Sequence, residues 1–194
     1  SIWRQEPSPE LDEAWHPLAH SNSILISKND MMKLGKPLDV AVQWPDDPSG
    51  ETYIAKMNVF HLLHCLDELR KAANPEYYWP DGHHKKAGYW SHTRHCVDML
   101  RQELMCTASL DIHTFVWADV QDSPLPDFAM NRRCRRWQDV VDWLHEHQLS
   151  DEDAKRVDHL SIPPNAQRSP VPDNGRELLY KIKHHLNDDG KVWS

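Results

Sequence analysis

The sequence predicts an α+β fold, mainly α: a small helical bundle in which two helices carrying His-x-x-His-Cys (HxxHC) face each other beside a short antiparallel β-hairpin. Three observations predict it. Apolar residues in several segments recur at helical spacing. Two short strand-like runs flank one turn-forming cluster. One helical decapeptide occurs twice, which requires two equivalent helices.

Residues 1–35 are polar and Pro-spotted and read as an extended arm with one helical turn near Asn29–Leu34. Val40–Gln43 and Thr52–Val59 flank Pro45-Asp46-Asp47-Pro48-Ser49-Gly50, the pattern of a hairpin. His61–Ala73 reads as a helix because Leu62, Leu66 and Leu69 keep helical spacing, and Asn74-Pro75 stops it. Residues 74–90 form an aromatic, His-rich loop, and a loop of that length inside a compact domain is often functional. Ser91 can cap a second helix running to about Ala108. Ile112–Trp117 alternates like a short strand, and Asp122–Asp127 reads as a Pro-containing loop. Trp137, Val140, Val141 and Leu144 give the stripe of a third helix over Cys134–His147. Ser150 with Asp153 looks like the cap of a short helix, and residues 161–173 are a Pro-rich linker. Asn174 with Glu177 resembles a capping box for a last helix bearing Leu178, Leu179, Ile182 and Leu186. The expected organisation is an arm over residues 1–37, a metal-binding catalytic core over 38–148, and a tail over 149–194 whose helix packs on the core.

The 194 residues suffice for one domain with a sizeable core, and 27% charged with 39% hydrophobic residues is a globular composition. A net charge of -8 argues against a nucleic-acid or anionic-membrane binder, since both need a basic footprint. Fourteen histidines point to metal binding, proton transfer or pH sensing.

The chemistry lies in the repeat. His61-Leu-Leu-His-Cys-Leu-Asp-Glu-Leu-Arg70 aligns with His92-Thr-Arg-His-Cys-Val-Asp-Met-Leu-Arg101, and the same His, His, Cys, Asp, Leu and Arg stand at matching positions. On a helix, residues i, i+3 and i+4 share a face, so His61, His64 and Cys65 project together, as do His92, His95 and Cys96. If the helices pack, four imidazoles converge, and facing helices of a bundle are an established way to build a metal site. Imidazoles suit copper, iron, nickel or zinc, and a His-rich site in an oxidising compartment leans to copper. His83, His84 or His113 could add ligands for a second ion, whereas His145, His147, His184 and His185 read as solvated. Asp67 and Asp98 read as surface partners of Arg70 and Arg101. Tyr77, Tyr78, Trp79, Tyr89 and Trp90 are candidate walls of a substrate pocket, or ordinary packing.

Cys65, Cys96, Cys106 and Cys134 fit two disulfides in an oxidising compartment or four reduced thiols. If Cys96 and Cys106 share a helix they lie about 15 Å apart, too far to bridge, which leaves two connectivities.

The paired segments HLLHCLDELRKA and HTRHCVDMLRQELMCTAS, with the later CRRWQDVVDWL and the preceding hairpin, resemble the UstYa-like family of fungal secondary-metabolite tailoring oxidases over about residues 38–148. The resemblance implies a copper- and O2-dependent oxidoreductase acting on a small molecule or ribosomal peptide by oxidative cyclisation, hydroxylation, desaturation or halogenation. It implies that His61, His64, His92 and His95 are the metal and catalytic residues, and that Cys65 and Cys96 are the family's paired cysteines. Disulfides Cys65–Cys96 and Cys106–Cys134 are expected accordingly. It also implies a lumenal or secreted domain of a single-pass membrane protein, with the anchor absent or removed from this chain, and association with itself or a related chain. The alternatives are a non-catalytic metal or small-ligand binding protein and a structural zinc domain.

Overall fold

A computed structural model of the chain describes residues 1–82, 88–164, 166–171 and 173–183. His83, His84, His184, His185 and Leu186 lie outside the described residues.

The N-terminal residues are not the extended arm expected. After a 3-10 turn at Ile2–Arg4 comes helix α1, Pro9–Ala19. Ser8 caps it by accepting from Leu11 N–H at 3.1 Å, Pro9 sits in the first turn where its missing donor costs nothing, and Glu10 and Asp12 complement the helix dipole. Pro17 lies inside the helix, in its last turn, where it forgoes the backbone bond to Glu13. Leu11, Trp15 and Ala19, one per turn, are its buried stripe, and Trp3 meets Trp15 edge-on at 5.5 Å.

Strand β1, Ile24–Ser27, leads into helix α2, Lys28–Lys33, which matches the helical turn expected there. Strand β2, Thr52–Ala55, is also as expected, but its antiparallel partner is β1, with Ile24 opposite Ala55 and Ser27 opposite Thr52. Val40–Gln43 contributes only a bridge from Gln43 to Tyr53, flanked by Ile54 N–H to Val42 C=O at 3.0 Å and Trp44 N–H to Thr52 C=O at 2.9 Å.

Helix α3, Asn58–Ala72, carries the first motif; a short helix α4, Pro75–Tyr78, follows, and helix α5, Tyr89–Thr107, carries the second. The second motif helix starts before Ser91 because Gly88, at φ +89°, turns the chain into it. Strands β3, Thr114–Val116, and β4, Leu125–Asp127, form a second hairpin, so the expected loop at Asp122–Asp127 is part strand; Phe115, Trp117, Val120 and Phe128 on this hairpin are exposed. Helix α6, Trp137–His147, helix α7, Asp151–Asp158, and helix α8, Asp173–Lys183, complete the order. Ser150 caps α7 by accepting from Asp153 N–H, as expected. Helix α8 begins at Asp173, ahead of the Asn174 expected to cap it.

Two contact regions position the site. Ile24, Phe60 and Leu144 form a core cluster, with Ile26, Ala55, Met57, Val59, Val140 and Val141 packed on it, so β1, α3 and α6 share one apolar centre. Phe60 immediately precedes the first motif and is 1% exposed; truncation to Ala would cost about 3 to 5 kcal/mol and free the start of α3. The other region is the stacking of α3 against α5 on one side and α1 on the other. Among the described residues no helix is long and apolar enough to cross a membrane.

Candidate metal centre

The two motif helices face each other, and they do so in reverse order. The His61 ring lies 5.6 Å from that of His95, and the His64 ring 5.6 Å from that of His92. The early histidine of each motif thus meets the late one of the other, which defines α3 and α5 as antiparallel here. Within each helix the rings are 6.5 Å apart. The result is a four-cornered array with short sides between helices and long sides along them. His61 and His64 are half-buried, and His92 and His95 are exposed, so the array opens toward solvent on its α5 side.

The donor set fits a metal that accepts imidazole. Burial, reinforced by His95 and Lys56, holds His61 below its ordinary value. Burial also lowers His64, against a smaller opposing pull from Glu68. Both rings are neutral near pH 7 and have a lone pair to donate. A metal–nitrogen bond of about 2 Å puts a ring centroid about 3 Å from the ion. Two rings 5.6 Å apart can therefore bracket one ion across the helices, whereas all four must swing inward to share one. In keeping with this, no group of three or more His, Cys, Asp or Glu side chains among the described residues is already gathered as a finished ligand shell.

Cys65 and Cys96 lie beneath the array at the α3–α5 seam, both 0% exposed. All four cysteines carry free thiols, so the expected bridges are not formed in this structure. Burial, with the Cys65 thiol alongside, pushes the Cys96 thiol up to about 12. Cys65 Sγ is also 3.8 Å from His61 Nε2. Cys96 and Cys106 do share α5, so a direct link between them is ruled out; Cys106 and Cys134 are exposed.

Asp67 is not the surface residue expected: it is 1% exposed. Its carboxylate accepts from Arg70 Nε at 2.9 Å and Nη2 at 2.7 Å, and pairs with Lys71 Nζ at 2.6 Å. Arg70 also pairs with Asp12 of α1 at 2.7 Å and lies 5.5 Å over the Trp15 ring. Tyr78 donates to Asp12 at 2.9 Å and is itself bonded to Arg70. Burial and the Asp12 bond push the Tyr78 hydroxyl up to about 12. These contacts lock α1 and α4 onto α3. Asp98, at the matching position, is exposed and pairs with Arg101 at 2.7 Å, as expected.

The aromatic residues between the motifs form a chain of edge-on rings, Tyr77 to Tyr78 at 4.9 Å, Trp79 to Tyr89 at 5.0 Å and Tyr89 to Trp90 at 5.0 Å. None of them lines the cavity of about 430 Å³ that reaches the array at His64; that cavity is walled by α1, Lys56 and the α6–α7 junction. The sequence signal for this wall is slight: His16 and His20 stand at i, i+4 on one helix face. His113 packs against Phe128 at 5.2 Å on the β3–β4 hairpin, and His145 and His147 are exposed.

Against known proteins, the family model described as mycotoxin biosynthesis protein UstYa matches residues 1–147, which takes in the N-terminal segment expected as an arm. Relatives include the UstYa family oxidase aprY of Aspergillus flavus, 35% identical over 98% of this chain and 60% of its own length. The UstYa family oxidase phomYc of Diaporthe leptostromiformis is 31% identical over 74% of this chain and 58% of its own. A chlorinase, cctP2 of Talaromyces islandicus, is 30% identical over 71% of this chain and 41% of its own. The chain thus spans about 60% or less of the length of these curated relatives. No solved structure matches.

Proposed function

The chain belongs to the UstYa family of mycotoxin biosynthesis proteins, and from that membership we propose that it is a copper-dependent oxidoreductase that tailors a secondary metabolite or ribosomal peptide at an unactivated bond. The observation that carries the reading is the reversed pairing of His61 with His95 and of His64 with His92 across two antiparallel helices. These four residues would hold the metal as neutral imidazole ligands. Copper, when bound, supplies one-electron chemistry with dioxygen. The residues around it do the rest. Burial keeps His61 and His64 unprotonated, the seam at Cys65 and Cys96 holds the helices in register, and the exposed His92–His95 side leaves an approach for substrate. Hydroxylation, desaturation, cyclisation and halogenation remain within this reading, the last because one relative is named a chlorinase. The working setting we propose is the secretory lumen or the cell exterior, where Cys65 and Cys96 would close as a disulfide.

A structural zinc site of Cys and His draws support from the 3.8 Å approach of Cys65 to His61. Such a site would take Cys65 and Cys96 as thiolates and so requires both to stay reduced, whereas the oxidase reading closes them as a disulfide.

Protein purified without added metal tests the reading. It should carry at least one copper per chain. Reductant-driven oxygen uptake should scale with bound copper, vanish on chelation, and return with copper but not zinc. Equal uptake by the zinc-loaded protein would overturn the oxidase reading.

A further inference from the structure

The cavity of about 430 Å³ beside the array has the size of a small-ligand pocket but a polar lining that includes one ammonium, Lys56, and one carboxylate, Asp151. Lys56 lines it, has no ion-pair partner among the described residues, and lies close enough for its charge to bear on His61. Ser21 Oγ in the same wall is buried with no hydrogen-bond partner. A buried hydroxyl left that way is costly, and a ligand acceptor that reaches it would relieve the cost. Gln148 uses its side-chain oxygen to accept from Asn22 N–H at 3.4 Å, which leaves its amide NH2 to donate. The one carboxylate in the wall, Asp151, already accepts from Asn22 Nδ2 at 2.9 Å. His16 and His20 stack at 4.5 Å and make a flat flank. Lys56 is thus an ammonium without an ion-pair partner among the described residues, beside an amide and a hydroxyl that can donate, in a chain of net charge -8.

We propose that this cavity anchors the substrate through a carboxylate, whose oxygens pair with Lys56 and accept from Ser21 and Gln148 while the rest of the molecule lies along His64. The assignment rests on the oxidoreductase reading only for what the anchored molecule is for; the binding itself needs no metal. A carboxylate suits the site because two oxygens can meet one cation and two neutral donors at once.

The test uses the metal-free full chain, with N-acetylalanine and its neutral amide as probes, followed by NMR of the histidine ring signals at fixed pH. The acid should shift His16, His20 and His64 saturably and bind at least tenfold more tightly than the amide. Lys56→Met should weaken the acid about tenfold, and Lys56→Arg should restore most of the affinity; both variants change an exposed side chain, so the fold is kept. Equal binding of acid and amide, an unchanged affinity in Lys56→Met, or no saturable shift would overturn the subsite. Tighter binding of inorganic phosphate than of the acid would overturn the carboxylate assignment. Failure here with copper uptake intact removes only the subsite. Acid binding with no copper uptake removes only the oxidoreductase reading.

Discussion

Asp67 and Asp98 hold the same position in the repeated motif, yet Asp67 is 1% exposed and bound by Arg70 and Lys71, while Asp98 faces solvent with Arg101. The difference arises because α1 packs on α3, and Asp12 reaches Arg70 from it.

A buried carboxylate with two cations loses much when neutralised, because the cations are left uncompensated. Asp67→Asn should lower unfolding stability by about 3 kcal/mol. Asp98→Asn should leave it nearly unchanged, because an exposed, solvent-screened pair contributes little. Urea unfolding of the two variants decides this; equal effects would mean that α1 does not lock the first motif.

The imidazole array makes a prediction about metal. His64 and His95 belong to different cross-helix pairs, so His64→Ala with His95→Ala removes one ligand from each. Copper measured by elemental analysis should fall from at least one per chain to background. Stoichiometric copper in the double variant would exclude the array as the site.

The cysteines should differ in access. Under reducing, native conditions iodoacetamide should modify Cys106 and Cys134 and spare Cys65 and Cys96, which react only on unfolding. Under oxidising conditions a non-reduced digest should contain a Cys65–Cys96 peptide, and closing that loop should add about 4 kcal/mol of stability. Rapid native labelling of Cys65 would contradict the packed seam.

Stability of the metal-free protein should depend on pH through His61 and His64. Burial lowers both in the folded state from the ordinary 6.5, so below that value the unfolded chain binds more protons than the folded one. Their contribution is complete above pH 6.5 and is lost as pH falls toward the lowered folded values. A urea-midpoint series from pH 5 to 8 should rise through this window, and the double change His61→Gln, His64→Gln should flatten it. An unaltered slope would show that other groups carry it.

The motif helices were legible in the sequence because their evidence is local: periodic leucines, a proline stop, and a rare pattern that repeats. The four histidines followed from the same pattern. Helix α1 was obscured by Pro9 and Pro17, which discourage a helix by composition although Pro9 occupies a favourable first-turn position and Ser8 caps it. The strand partner was misjudged because pairing is non-local: Val40–Gln43 is near β2 in sequence, but Ile24–Ser27 wins by joining the Phe60 and Leu144 core. Lys56, Ser21 and Gln148 come from separate segments, so no spacing rule could have joined them. The burial of Asp67 was hidden for a related reason, since its i, i+3 arginine is identical in both copies.

A helix packed antiparallel against a near-copy of itself generates an approximate two-fold axis, here running between the four imidazoles. Rotation about that axis exchanges His61 with His92 and His64 with His95, so the repeat alone cannot distinguish one end of the centre from the other. Handedness toward an asymmetric molecule must come from what breaks the symmetry. Helix α1 does so, through the Asp12–Arg70 clasp on the first copy, by placing its His16–His20 flank at the His64 corner. Duplication supplies the centre, and the unduplicated N-terminal helix gives it a direction.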